Sequence, residues 1–397
     1  MRLQLFPCMR TSLFVILIWF SCVPSVSACS LCGNLLNRQT LRQELKQAKM
    51  VLFGTMVNPR PNKDSNISAT GFTDIQIQYV LKGKQLLAGK NRLTVPRYIP
   101  IPDNKKPPQY LVFYNIINGE LYPVMGRPAD TVALVRYLAE FEKLNTKNRI
   151  EQLLFFFPYI SSPDKIVADD AFLEFAKASD EEIGKVAKLL KPEPIRNLLK
   201  HPQTSADYRS LLAFLLGCCG NDADARWMRS IIVDPKASLA QNSLDGFLSG
   251  YVQQNPKDGW QLVNHIIRDD KRSDYDRFNA FYVVRFYQNW KTNPFRKEIV
   301  QTLSTALGEP DMADLAIDAL RRYEITDLSD QVIALYNNPK FSAPVIRRSV
   351  IRYALYREGD TVSARTFLRQ LRKTDPQLIA ELEELVRIEK EFSNSKY

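Results

Sequence analysis

The sequence predicts an α+β multidomain protein, in which a small β-barrel precedes an α-helical repeat solenoid. Two compositional regimes meet near Pro128: short alternating strands come before it, and amphipathic helices follow it almost without interruption. A short apolar leader precedes both. We therefore expect a signal peptide over residues 1–28, a β-barrel over 29–127 and a helical repeat array over 128–397.

The leader predicts export. Arg10 is followed by an apolar block over 12–23 and then by Val26-Ser27-Ala28-Cys29, the order of an export signal. The block is shorter than the roughly 20 residues that cross a bilayer as a helix. We expect cleavage between Ala28 and Cys29, no transmembrane span in the mature chain, and a periplasmic, lipid-anchored or secreted protein.

Five short strands and one helix are predicted before Pro128. The helix is expected over 33–46, and the strands over 50–57, 72–81, 92–95, 110–117 and 120–125. Asn118-Gly119 separates the last two strands and is typical of a tight hairpin. The proline-rich segment 96–108 is expected to be a loop, because proline cannot donate to a ladder. This pattern predicts a barrel of the oligonucleotide/oligosaccharide-binding (OB) type.

The helical part has an internal period. Similar apolar segments are centred at Ala176, Ala213, Leu248, Val284, Ala319 and Ala354, which lie 35 to 37 residues apart. One helix pair cannot bury its apolar face alone, whereas stacked pairs can. The polar last helix, expected over 376–392, suits a terminal cap, and the stacked array predicts a surface for a protein partner.

The net charge of +11 is concentrated near the start of the chain. Residues 29–129 hold fourteen Lys and Arg against five acids, whereas the rest of the mature chain is neutral. Such clustering attracts anions, so an anionic envelope polymer or a lipid surface is a candidate partner; the alternative is a solvated basic surface. The candidate anion-binding residues are Lys82, Lys84, Lys90, Arg92, Arg97, Lys105 and Lys106.

The spacing of reactive residues predicts no catalytic, cofactor-binding or metal site. The two histidines, His201 and His265, are far apart, and no phosphate-binding or nucleotide-binding glycine motif occurs. Asp169-Asp170 is interpreted as a cap or solvated face, and Cys218-Cys219 as buried thiols. The aromatic clusters are assigned to the core, so no nucleic acid is expected as a partner. We therefore expect a protein that is not an enzyme and has no cofactor.

The sequence also resembles known families. Cys29-Ser-Leu-Cys32, Ala48 to Val57 and Tyr79-Val-Leu-Lys-Gly83 resemble the netrin-like fold shared with tissue inhibitors of metalloproteinases, and the helical part is similar to HEAT-type repeats. Together they look like a family of exported bacterial proteins, a resemblance that implies architecture and export but no activity. It also implies that the amino group and carbonyl of Cys29 could chelate a protease zinc, although those inhibitors begin with Cys-x-Cys.

Cys29 and Cys32 leave several alternatives open. The segment before Cys29 fits a lipoprotein box, the short spacing fits a local disulfide in an oxidising compartment, and a redox-active pair is the third option. The leading functional hypothesis is non-enzymatic binding or scaffolding in the cell envelope or exterior. The alternatives are a protease inhibitor acting through Cys29 and an enzyme of undetermined class.

Overall fold

The computed structural model describes residues 38–62, 70–129, 132–144, 146–290 and 292–395. An antiparallel five-stranded sheet comes first, and only helices follow it in the described part of the chain, so the α+β class is confirmed. The strands are β1 (Met50–Pro61), β2 (Gly71–Lys82), β3 (Arg92–Val95), β4 (Gln109–Ile117) and β5 (Glu120–Pro128).

The sheet is open, so the predicted β-barrel does not close in the described chain. The strand order is β3-β2-β1-β4-β5, and the edge strands β3 and β5 do not pair with each other in the described chain. β3 is only four residues long and is followed directly by Pro96, while β5 contains Pro123 and ends at Pro128. Proline has no N–H to donate, which limits further ladder formation at both edges.

The central strand β1 is buried on both faces, and each face belongs to a different core. Val51 and Phe53 pack, together with β4, into the core that continues through the helices. Met50, Leu52 and Met56 lie on the opposite face in a smaller core. That second core is covered by Leu87, Val95 and Ile99, from the short 3₁₀ helix over 84–87 and the end and outgoing loop of β3. The sheet therefore encloses an apolar interior of its own.

A helix before the sheet connects it to the rest of the molecule. The prediction began this helix at residue 33, but in the described chain α1 covers Leu41–Gln47, and Arg38 to Thr40 lie outside it. Thr40 explains the start: its Oγ1 accepts from Gln43 N–H at 3.3 Å, and Gln43 Oε1 accepts from Thr40 N–H at 3.1 Å. Thr40 has an extended backbone and forms this reciprocal capping box, so the helix begins at the next residue, Leu41.

Sixteen helices are described after the sheet. They are α2 (Ala133–Leu144), α3 (Arg149–Phe156), α4 (Lys165–Ala176), α5 (Asp180–Ala187), α6 (Pro192–Lys200), α7 (Ala206–Cys219), α8 (Asp222–Val233), α9 (Leu244–Gln254), α10 (Pro256–Arg268), α11 (Asp274–Trp290), α12 (Thr292–Leu307), α13 (Ala313–Arg322), α14 (Ser329–Leu335), α15 (Pro344–Arg357), α16 (Val362–Thr374) and α17 (Pro376–Ser395).

The six predicted repeat centres fall in α4, α7, α9, α11, α13 and α15. From α7 onward these are alternate helices: α7 packs against α9, α9 against α11 and α13 against α15, while α10 packs against α12 and α14 against α16. This arrangement is consistent with a helical repeat region. None of the described helices combines the length and apolarity that crossing a bilayer requires.

Small residues bring α7 and α9 unusually close. A Cβ atom added to Gly246 would lie 2.2 Å from the backbone oxygen of Ser210, and one added to Gly217 would lie 2.1 Å from the backbone oxygen of Gly250. Both neighbours are backbone atoms, which cannot rotate away. The glycines therefore set the distance between these two helices.

Candidate binding surfaces of the sheet

The predicted anion-binding residues divide into one structural lysine and six exposed cations. Lys82 is half-buried, and its Nζ donates to the backbone oxygens of Leu45 and Lys46 at 2.8 and 3.0 Å. It thus satisfies the last carbonyls of α1, where a positive charge also interacts favourably with the helix dipole. Lys82 stabilises the junction of α1 and β2, and its ammonium group is already occupied.

The other six candidates are exposed to solvent. They are Lys84, Lys90, Arg92, Arg97, Lys105 and Lys106. Arg92 donates to Gln76 Oε1 at 3.0 and 3.1 Å. None of the six forms an ion pair with another residue in the ranges that the structure describes, in contrast to the many paired arginines of the helices.

Two buried acids in this part of the chain, Asp74 and Glu44, are held by arginines. Arg60 donates to both carboxylate oxygens of Asp74 at 3.0 and 2.7 Å, and Thr94 Oγ1 donates to the same group at 2.8 Å. These hydrogen bonds, that of Arg60 first, lower the pKa of Asp74 to about 2. Glu44 of α1 is buried and paired with Arg127 of β5. Neither carboxylate therefore neutralises the exposed lysines.

These cations do not form one compact patch. Lys84 follows β2, whose Lys82 pairs with Val51 at the start of β1. Lys105 and Lys106 precede β4, whose Gln109 pairs with Thr55 farther along β1. Val51 and Thr55 are four residues apart, roughly 13 Å along an extended strand. The exposed cations are therefore attached to different points along the sheet.

A cleft lies between the free edge of β5 and the loop after β3. Its volume is about 460 Å³, and it is lined by residues 95–100, by β5 and by inner-face residues of β1 and β4. Tyr98, Tyr110 and Tyr122 are among the lining residues, and Arg97 is the charged one. The size is in the range of small-ligand sites, which combine apolar walls with few polar groups. The cleft opens because β3 and β5 do not pair.

A buried polar network joins α1 to the helices. Asp170 of α4 accepts from Leu41 N–H at 2.7 Å and from Tyr137 O–H at 2.8 Å. Burial is the main cause that raises the pKa of Asp170 to about 6. Glu174, one turn later, accepts from Arg42 at 2.9 and 3.1 Å and from Arg149 at 2.8 Å. These arginines keep the pKa of Glu174 below its usual value despite its burial.

The interpretation of Asp169-Asp170 as a cap or solvated face is therefore wrong for Asp170. Only 6% of its surface is exposed. One sequence signal indicated this network: Glu174 lies inside the apolar run Phe172 to Ala176, where an unpaired charge would be costly. The sequence did not reveal its partners, because Arg42 and Arg149 are 132 and 25 residues away.

A second cavity, of about 730 Å³, lies where α4 begins and α6 leads into α7. It contains His201, whose Nδ1 accepts from Gln203 N–H at 3.3 Å. Its charged groups engage each other and a tyrosine: Asp169 accepts from Lys165 at 2.9 Å and from Tyr208 O–H at 2.9 Å.

The remaining reactive residues are not brought together. His265 is exposed on α10, and the thiols of Cys218 and Cys219, predicted to be buried, are half-buried at the end of α7. Cys219 Sγ donates to Leu215 O at 3.2 Å, and burial raises the pKa of its thiol to about 11. No group of three His, Cys, Asp or Glu residues suited to a metal ion occurs within the described ranges. Ala28, Cys29 and Cys32 lie outside the described residues, so lipidation, disulfide formation and zinc chelation stay predictions.

No protein-family model matches the chain, and no curated protein matches it. Human deoxyhypusine hydroxylase in complex with glycerol is a solved structure similar to this chain, with 12% identity and a TM-score of 0.26. The match covers 64% of this chain and 97% of the hydroxylase. The expectation that the chain is not an enzyme is withdrawn. A likeness this low carries no reaction, substrate or site residue over to the chain.

Proposed function

We propose that the chain is an exported binding protein of the cell envelope or exterior, in which the sheet holds an anionic partner and the stacked helices carry a protein partner. The observation that supports the anionic partner most directly is the excess of basic residues over 29–129, fourteen against five acids, with six of the cations exposed to solvent and outside any ion pair in the described chain. The leader supports export, and the alternate packing of α7 to α16 supports the scaffold.

The sheet and the helical part differ in how far their positive charges are balanced by carboxylates. From residue 130 onward basic and acidic residues are equal in number, and arginines pair with nearby carboxylates, as Arg196 does with Asp224 and Arg372 with Glu358. On the sheet, the carboxylates Asp74 and Glu44 are occupied by Arg60 and Arg127. The excess of exposed positive charge that results attracts a polyanion or an anionic surface. We also propose that the sheet is a netrin-like domain of the OB type and that the helices form HEAT-like repeats.

Binding to a soluble polyanion tests the proposal. The chain from residue 29 onward is titrated with heparin over a range of salt concentrations, and the affinity should fall steeply as salt rises, because exposed charges are screened. A variant with five cations of the sheet neutralised (Lys84→Gln, Lys90→Gln, Arg97→Gln, Lys105→Gln, Lys106→Gln) should bind at least about tenfold more weakly.

A control variant removes the same charge from the helices. It carries five exposed lysines without ion pairs in the described chain (Lys188→Gln, Lys191→Gln, Lys257→Gln, Lys271→Gln, Lys297→Gln). Its affinity for heparin should stay within about twofold of the parent chain. Equal losses in the two variants, or binding that does not respond to salt, would show that net charge alone acts and that the sheet has no anion-binding role.

A further inference from the structure

The hairpin of β4 and β5 extends beyond the rest of the sheet. Pairing between β1 and β4 begins at Met50 and Tyr114, and Lys49 N–H donates to Tyr114 O at 2.9 Å and to Asn115 Oδ1 at 3.0 Å. Past this point, residues 115–122 pair only with each other in the described chain. This segment, which we name the 115–122 hairpin, therefore protrudes from one end of the sheet.

The protruding segment carries large apolar side chains in solvent. Ile116, Ile117 and Tyr122 are 49%, 45% and 47% exposed. Successive strand residues point to opposite faces, so Ile116 and Ile117 present apolar surface on both sides of the hairpin. The turn between them and Tyr122 is Asn118-Gly119, both at positive φ. A two-sided apolar tip cannot be covered by folding it onto its own sheet.

Exposed lysines surround the base of the same hairpin. The backbone N–H of Lys49 donates to Asn115 of the hairpin. Lys46 lies at the end of α1, and its backbone oxygen accepts from Lys82 Nζ. Lys84 follows Gly83, which packs so closely on Lys49 that an added Cβ would lie 2.4 Å from Lys49 O. The side chains of Lys46, Lys49 and Lys84 are exposed, and none is in an ion pair with a described residue. Glu120, at the turn, is the acid within the hairpin.

We propose that this end of the sheet docks on an anionic lipid bilayer, with the 115–122 hairpin inserted among the headgroups and Lys46, Lys49 and Lys84 facing their phosphates. Apolar side chains next to basic ones are the combination that holds proteins at a membrane interface. Each lysine near an anionic surface strengthens binding by about fivefold. The inference rests on the proposed anion-binding function and assigns its partner; a soluble polymer would need the lysines but not the apolar tip.

Vesicle binding tests the inference. The chain from residue 29 onward, which carries no lipid when produced without its leader, is mixed with vesicles of equal parts phosphatidylglycerol and phosphatidylcholine, and with phosphatidylcholine alone. It should bind the anionic vesicles only. Ile116→Ser with Ile117→Ser should weaken this binding by about tenfold, because less apolar surface leaves water. A matched pair in the helical part of the chain, Leu189→Ser with Val345→Ser (61% and 55% exposed), should change it by less than about twofold.

The position of the charges gives a second comparison. Lys46→Gln, Lys49→Gln and Lys84→Gln together should weaken vesicle binding much more than Lys90→Gln, Lys105→Gln and Lys106→Gln, which remove the same charge elsewhere on the sheet. A variant that is expected to bind more strongly than the parent makes the test independent of folding defects. Ile117→Trp should strengthen vesicle binding, because tryptophan favours membrane interfaces. The fluorescence of this tryptophan should also shift to the blue on anionic vesicles.

The outcomes separate this inference from the proposed function. Heparin binding that depends on salt, combined with vesicle binding that is unchanged by the serine pair in the hairpin, would refute the membrane dock and leave the anionic partner a polymer. Equal losses from the two lysine triples would likewise refute it. Absence of both heparin and anionic-vesicle binding in the parent chain would refute the proposed function as well.

Discussion

The junction between α1 and the helices should make stability depend on pH in a defined direction, and Asp170→Asn is the perturbation that reveals it. Asp170 is buried, accepts from Leu41 N–H and Tyr137 O–H, and lies near the carboxylates of Glu174 and Glu44. Replacing it with asparagine removes a titratable group from this site while keeping its size. The difference between the two proteins therefore isolates the ionisation of Asp170.

The pKa of Asp170 gives the magnitude. Burial raises this pKa to about 6 in the folded chain, from a usual value of 3.8. Two pKa units correspond to about 3 kcal/mol of unfolding free energy. Because the folded state binds the proton more tightly, this contribution is fully present below about pH 4 and is lost as the pH rises through about 6. Relative to Asp170→Asn, the parent chain should gain about 2.5 kcal/mol between pH 7.5 and pH 4.

Urea unfolding of both proteins at about pH 4 and about pH 7.5 measures this gain. Asp224→Asn is a control of opposite sign, because the hydrogen bonds from Arg196 hold the pKa of Asp224 below its usual value. The advantage of the parent over Asp224→Asn should therefore be nearly the same at these two pH values and should shrink only below about pH 4. If the difference between the parent and Asp170→Asn is the same at both pH values, the assignment of a protonating carboxyl to this junction is wrong.

Two further substitutions test the packing around the sheet and between the repeats. Gly246→Ala should destabilise the chain by about 2 kcal/mol, since its Cβ would meet the backbone of Ser210 at 2.2 Å; Gly359→Ala, which meets nothing within 4 Å, should cost less than about 0.5 kcal/mol in the same urea titration. Lys82→Met should lower stability by about 1 kcal/mol by uncapping α1, yet leave heparin affinity within about twofold. A large loss of heparin affinity in this variant would show that Lys82 is an anion ligand after all.

Local patterns explain why most elements could be predicted. β3 matches the predicted range, and the Asn118-Gly119 turn lies between β4 and β5 as expected. The repeat centres are all helical, since a period of about 35 residues reflects contacts between neighbouring helices. The start of α1 was missed because the apolar stripe before Leu41 outweighed Thr40, whose capping box with Gln43 decides where the helix begins in the described chain.

The sequence by itself determined the α+β order, the helical period and the concentration of positive charge before residue 130. These depend on residues close together along the chain or on composition alone. Only the tertiary structure decided that the sheet stays open, that Lys82 caps α1, and that Asp170 and Glu174 are buried. Whether a charged side chain lies in solvent or in a network depends on partners brought together by folding, and for Glu174 one of them, Arg42, is 132 residues away.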